Sequence, residues 1–221
     1  MIIAAVHTAM AMVEPTKELF SKYLPNIRLI NIVDESLIQD VISAGKVPDA
    51  VKKRLINYYY SAVDAKSDII FNTCSSVREV AAIARNFIPV PIIRIDEAMA
   101  EEAIVKSGRI GVLATLPTTL GPTCRLLELK AAEIGKSITV IEGLAGGAYQ
   151  AVIEGNKEKH DELILNKALE IADKCDVIVL AQGSMARMEE QLALKTGKIV
   201  LSSPLRGILQ IKEFIESNFG K

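Results

Sequence analysis

Cys74 stands where an apolar run, Asp68-Ile-Ile-Phe-Asn-Thr73, gives way to a helical pattern, Ser75-Ser-Val-Arg-Glu-Val-Ala-Ala. The first turn of a helix leaves N–H groups unpaired, and its dipole favours negative charge. The position therefore predicts a thiolate that forms more readily than in a free cysteine. A thiolate can abstract a proton or attack carbon. Around it, Asn72, Thr73, Ser75 and Ser76 add amide and hydroxyl donors, which with the helix start would cradle a carboxylate or an enolate oxygen. The plainer alternatives are a buried structural cysteine and N-capping of the helix by Ser75 or Ser76.

Residue 182 lies 108 positions on (182 minus 74) and ends a second apolar run, Asp176-Val-Ile-Val-Leu-Ala181, that matches the first closely. There the thiol is replaced by Gln182, followed by Gly183 and Ser184. A carboxamide can hydrogen-bond a substrate, but it does not titrate and cannot take up and return a proton near neutrality. Ser184 has no adjacent histidine in the sequence to activate it. At the other strand end of this half, Thr115, Pro117, Thr118 and Thr119 offer hydroxyl and N–H donors, with turn formation as the alternative.

The elements that must position these residues alternate along the chain. Short β-rich runs fall near 2–6, 28–33, 68–72, 91–95, 110–114, 138–141, 176–180 and 198–201, with helical patterns between them. Pro48-Asp49 opens one helix running to Ala65, Asp96 caps another over 97–106, and Ser203-Pro204 starts the last, ending near Gly220. Strands alternating with helices imply an α/β fold with parallel sheets. The offset of 108 carries each strand of one half onto one of the other: Ile2 onto Ile110, Ile30 onto Ile138, Asp68 onto Asp176, Ile92 onto Val200, with no gap. The expectation is two pseudosymmetric halves, each a four-stranded parallel sheet flanked by helices, made of residues 1–98 plus 204–221 and residues 99–203. Strand carboxyl ends face the cleft in such sheets. That would gather His7 and Thr8, residues 72–76, residues 115–119 and residues 182–185 into one site between the halves.

Composition narrows the class. Half of the 221 residues are hydrophobic, and 26 basic against 27 acidic residues leave a formal charge of −1 with no basic stripe. Neither a nucleic acid nor a membrane surface is expected as a partner. No stretch approaches the roughly 18 apolar residues of a bilayer span, and the apolar start lacks a positive flank, so cytoplasmic residence is expected. Three cysteines and two histidines form no disulfide framework and no metal-ligand spacing. Cys124 and Cys175 read as packing residues. Tyr58, Tyr59 and Tyr60 scatter around a helix, so at most one or two face a core. Gly143, Gly146 and Gly147 could hinge a loop, and the run 155–162 with His160 reads as a solvated loop and helix start.

Phe71-Asn-Thr-Cys-Ser-Ser76, Gly111-Val-Leu-Ala-Thr-Leu-Pro-Thr118, Val179-Leu-Ala-Gln-Gly-Ser-Met185 and Val13-Glu-Pro15 occur in the order and spacing of the aspartate/glutamate/hydantoin racemase superfamily, which the whole chain resembles. The resemblance implies two α/β halves, a homodimer, a small carboxylate-containing substrate, and neither pyridoxal phosphate nor a metal as cofactor. In the family's racemases a cysteine from each half flanks the substrate; one removes the proton α to the carboxylate and the other protonates the opposite face. Carried over, Cys74 is the first thiol, and Thr73, Ser75, Ser76, Thr115 and Thr118 hold the carboxylate. Gln182 stands in place of the second cysteine. The superfamily also contains one-thiol arylmalonate decarboxylases, which keep the second-half cysteine, and maleate isomerases, whose first-half cysteine attacks the substrate. This chain keeps the first.

Overall fold

The computed structural model describes residues 1–219, and the chain divides into two compact units, Met1–Asp96 with the segment from Pro204 onward, and Glu97–Ser203. The first contains β1 (Ile2–His7), a 3-10 turn Met10–Met12, α1 (Val13–Tyr23), β2 (Arg28–Val33), α2 (Ser36–Ala44), α3 (Asp49–Asp64), β3 (Ile69–Asn72), a 3-10 turn Ser75–Val77, α4 (Arg78–Ala84) and β4 (Ile92–Arg94). In the second are α5 (Glu97–Lys106), β5 (Arg109–Ala114), α6 (Pro117–Glu133), β6 (Thr139–Leu144), α7 (Ala148–Ile153), α8 (Lys157–Ala172), β7 (Val177–Leu180), a 3-10 segment Gly183–Met188, α9 (Glu189–Thr196) and β8 (Ile199–Ser202); α10 (Ser203–Phe219) returns the chain to the first unit.

Both sheets are four-stranded and parallel, ordered β2-β1-β3-β4 and β6-β5-β7-β8. The sequence produces them because their central strands are apolar at consecutive positions, as a sheet covered on both faces requires. Alternate residues serve opposite layers. In the first unit Ala4, Val6 and Ile70 pack under Leu37, Val51, Leu55 and Tyr59, while Ile3, Ala5, Ile69 and Phe71 pack against Phe20, Ile208 and Ile211. In the second, Ile110, Val112, Val177 and Val179 meet Met99, Leu126 and Leu127, and Leu113, Ile178 and Leu180 meet Ile164, Met185 and Leu192.

Two expectations are corrected. The repeat has a gap, since an offset of 108 would put the start of β2 at 136, whereas β6 begins at Thr139. The longer α6 and its closing turn, with Gly135 at φ 66°, delay the strand. After Cys74 the chain enters a 3-10 turn, and the α-helix begins only at Arg78, with Val77 as its N-cap and no side-chain capping bond. Neither Ser75 nor Ser76 is therefore that helix's N-cap. The expected end of the last helix near Gly220 lies outside the described residues. Among those residues no helix is long and apolar enough to cross a membrane.

Candidate active site

Cys74 follows the carboxyl end of β3 in extended conformation (φ −119°, ψ 118°) and is partly exposed. Its backbone is held from behind: Asn72 Nδ2 donates to the Cys74 carbonyl at 3.0 Å, and Asn72 Oδ1 accepts from the Tyr59 hydroxyl at 2.9 Å. Tyr59 and Asn72 are both buried, and burial pushes the Tyr59 hydroxyl's pKa far up, so this hydroxyl remains a fixed donor. Of the three consecutive tyrosines, the spacing of Val51, Leu55, Tyr59 and Ala62 on α3 makes Tyr59 the core-facing one.

The thiol itself departs from expectation. Burial pushes its pKa above the ordinary thiol value, and hydrogen bonds from the Thr8 hydroxyl and the N–H groups of Ser76 and Val77 pull the other way, with Asp96 adding to the rise. The predicted low pKa is thus corrected, because desolvation of the sulfur outweighs the donors of the short 3-10 turn and Thr8. The donors that reach the sulfur are the Thr8 hydroxyl and the Ser76 and Val77 N–H groups, not the Thr73 hydroxyl. Thr73 Oγ1 lies 3.1 Å from the Val6 carbonyl and 2.9 Å from His7 Nδ1. His7 is buried, with Nε2 2.9 Å from Asn31 Oδ1, and burial lowers its pKa. Its ring is engaged at both nitrogens, an internal brace between β1, β2 and the Cys74 loop. Ser75 and Ser76 are buried beside it.

In the second unit, the residues after β5 and β7 meet because those strands are neighbours in the sheet. The Thr115 N–H donates to Gln182 Oε1 at 2.8 Å, and Gln182 Nε2 donates to Thr115 Oγ1 at 2.5 Å. Gly183 is partly buried, Ser184 exposed, and no histidine hydrogen-bonds Ser184. Thr118 Oγ1, in the first turn of α6, is a buried atom with no partner among the described residues. Gly143 lies within β6 and is a packing position: a Cβ there would come within 2.9 Å of Ile171 Cδ1. Cys175 is buried with its thiol donating to the Ile171 carbonyl at 3.3 Å, and Cys124 is buried with its pKa pushed up to about 12 by desolvation and by nearby Glu142.

His160 is not in a solvated loop. It is buried at the start of α8, with Nδ1 2.7 Å from Asp161 Oδ1. Asp161 in turn grips Arg187, whose Nη1 donates to Oδ2 at 2.6 Å and whose Nη2 donates to Oδ1. The guanidinium holds the Asp161 carboxyl down at about 2. Arg187, the cation nearest Gln182 in sequence, is therefore already charge-paired. Among the described residues no three His, Cys, Asp or Glu side chains gather as metal ligands.

Solved structures with the same fold include a glutamate racemase from Francisella tularensis subsp. tularensis SCHU S4 in complex with D-glutamate (15% identity, TM-score 0.76, covering 98% of this chain and 81% of that one). An allantoin racemase from Klebsiella pneumoniae aligns at 16% identity and TM-score 0.72, over 98% of this chain and 88% of its own. An arylmalonate decarboxylase aligns at 15% and 0.62, over 100% and 94%. No curated protein matches the chain. The model of one family, Asp/Glu/hydantoin racemase, matches residues 3–208. Spanning nearly the whole sequence, that match makes this chain a member of the Asp/Glu/hydantoin racemase family, whose racemases are isomerases.

Proposed function

We propose that the protein is a cofactor-independent enzyme working at the carbon next to a carboxylate, with Cys74 as its single acid/base or nucleophile and Thr8, Ser75, Ser76, Thr115 and Thr118 holding the substrate. The observation that carries this reading is the convergence of Thr8 and the Ser76 and Val77 N–H groups on the Cys74 sulfur, in a chain of this family. Three donors aimed at one atom can stabilise a thiolate during turnover, and a thiolate of raised pKa is a strong base once formed. Gln182 has no titrating group, so the reaction runs on one thiol: proton exchange with retention, decarboxylation, or thiol addition with cis-trans isomerisation. A homodimer and cytoplasmic residence belong to the same reading as implications of the family.

A second reading has its own observation. The raised thiol pKa keeps Cys74 largely protonated at neutrality, as a carboxylate-binding module without catalysis would tolerate. One experiment separates the two. Both enantiomers of glutamate and aspartate, allantoin, phenylmalonate and maleate are incubated in deuterated water and followed by NMR for α-hydrogen exchange, loss of CO2 or cis-trans isomerisation. The enzyme reading expects turnover of at least one compound, reduced about 10²-fold or more by Cys74→Ala. Turnover that survives Cys74→Ala contradicts the assignment, and binding without turnover supports the module.

A further inference from the structure

The bonding between Gln182 and Thr115 has a fixed polarity. A backbone N–H can only donate, so the carboxamide atom 2.8 Å from Thr115 N is the carbonyl oxygen. The other end must then be the NH2 group, which also can only donate. Thr115 Oγ1, 2.5 Å away, is consequently an acceptor in this pair, and its own hydrogen is turned away from Gln182. That hydrogen meets no acceptor among the described residues. Thr115 is 6% exposed, so little water is available to satisfy it, and a nearly buried donor without an acceptor is costly. Thr118 Oγ1, three residues on, is likewise without a partner.

From this we infer that Gln182 is a positioning residue: it fixes Thr115 as a hydroxyl donor to the substrate oxyanion, and acts on the substrate through Thr115 rather than by direct contact. The assignment rests on the carboxylate reading above and deepens it. A cysteine at 182 would impose this polarity only weakly, because its single sulfur is a weak acceptor and its S–H a weak donor, whereas the carboxamide brings a strong acceptor and a strong donor on separate atoms. With Gln182 where the family resemblance would place a second thiol, this strand end carries a preset hydrogen-bond donor.

The test is a double-mutant cycle read by calorimetric titration with phenylacetate, malonate and sulfate. Thr115→Val removes the donor, and Gln182→Met removes the polarity at nearly constant shape. A hydroxyl donating to a charged acceptor makes each single loss about ten- to hundredfold in Kd. Because Gln182 works through Thr115, the double variant should bind no worse than Thr115→Val alone. Thr115→Ser should recover most of the loss seen with Thr115→Val, and serves as the reporter if a larger change impairs folding. Additive losses, or unchanged binding in Gln182→Met, overturn the assignment while the carboxylate reading stands. Failure of the unaltered protein to bind any of the three anions at millimolar concentration overturns both.

Discussion

Tyr59→Phe isolates the brace behind Cys74. Tyr59 is 0% exposed and Asn72 1% exposed, and the 2.9 Å bond between them lies wholly inside the first unit. Phenylalanine fills the same space, so the cavity contribution is small and the cost is that of one hydroxyl. Losing a net hydrogen bond and leaving the Asn72 carbonyl oxygen buried without its donor gives about 2 kcal/mol. With a urea m-value of about 2 kcal/mol/M for a unit of this size, the midpoint should fall by about 1 M. Far-UV circular dichroism is the appropriate signal, since the chain has no tryptophan and the substitution removes one of its five tyrosines. Tyr60→Phe is the control: at 44% exposure its effect should stay within about 0.5 kcal/mol. Equal midpoints for Tyr59→Phe and the unaltered protein, or equal losses for the two variants, would refute the brace.

Three further outcomes follow from the same geometry. Gly111→Ala places a Cβ 2.9 Å from Cys175 Sγ and 3.1 Å from Ile171 Cδ1, overpacking a buried layer by about 1–3 kcal/mol; thermal denaturation should show the loss, and adding Cys175→Ala should return part of it. Asp161 has a folded pKa of about 2 against an ordinary 3.8, so its stabilisation is complete above the unfolded value and fades as pH falls from about 4 to about 2. With side chains 24% and 37% exposed, screening leaves on the order of 1 kcal/mol. Asp161→Asn should cost this at neutrality and only a small fraction of it near pH 2, and a pH-independent difference in urea midpoint would count against the ion pair. Iodoacetamide labelling of Cys74 should rise with pH through a midpoint above the ordinary thiol value, since only the thiolate reacts and burial raises its pKa. Labelling that saturates below about pH 8 contradicts the raised pKa.

The strands were legible because each is a short apolar run bounded by turn residues, and the sheet orders repeat as the internal similarity foretold. The slip at β6 was not, because α6 and the turn at 134–138 are longer than their counterparts α1 and the turn at 24–27, and an ungapped comparison cannot register the added length. Asn72 was recognisable as a polar residue ending a strand, but its bond to Tyr59 joins α3 to β3 and exists only once the helix lies on the sheet. The Cys74 pKa was misjudged for a related reason: a local dipole can be read from sequence, whereas desolvation is set by everything packed around the sulfur. His160 illustrates the same limit: in a run whose neighbours at 155–159 stay exposed, tertiary packing buries this one side chain beside Arg187. The contact of Thr115 with Gln182 did leave a signal, since both follow strands that an α/β sheet of this order places side by side.

The proposed site has one thiol and no second base. Its most direct measurement is the ratio of α-hydrogen exchange to stereoinversion in deuterated water, on the panel compound of either handedness that exchanges fastest. Exchange should outrun inversion, with solvent deuterium entering while the starting configuration is kept. Equal rates would mean that a second group delivers a proton to the opposite face, and would rule out a one-base site.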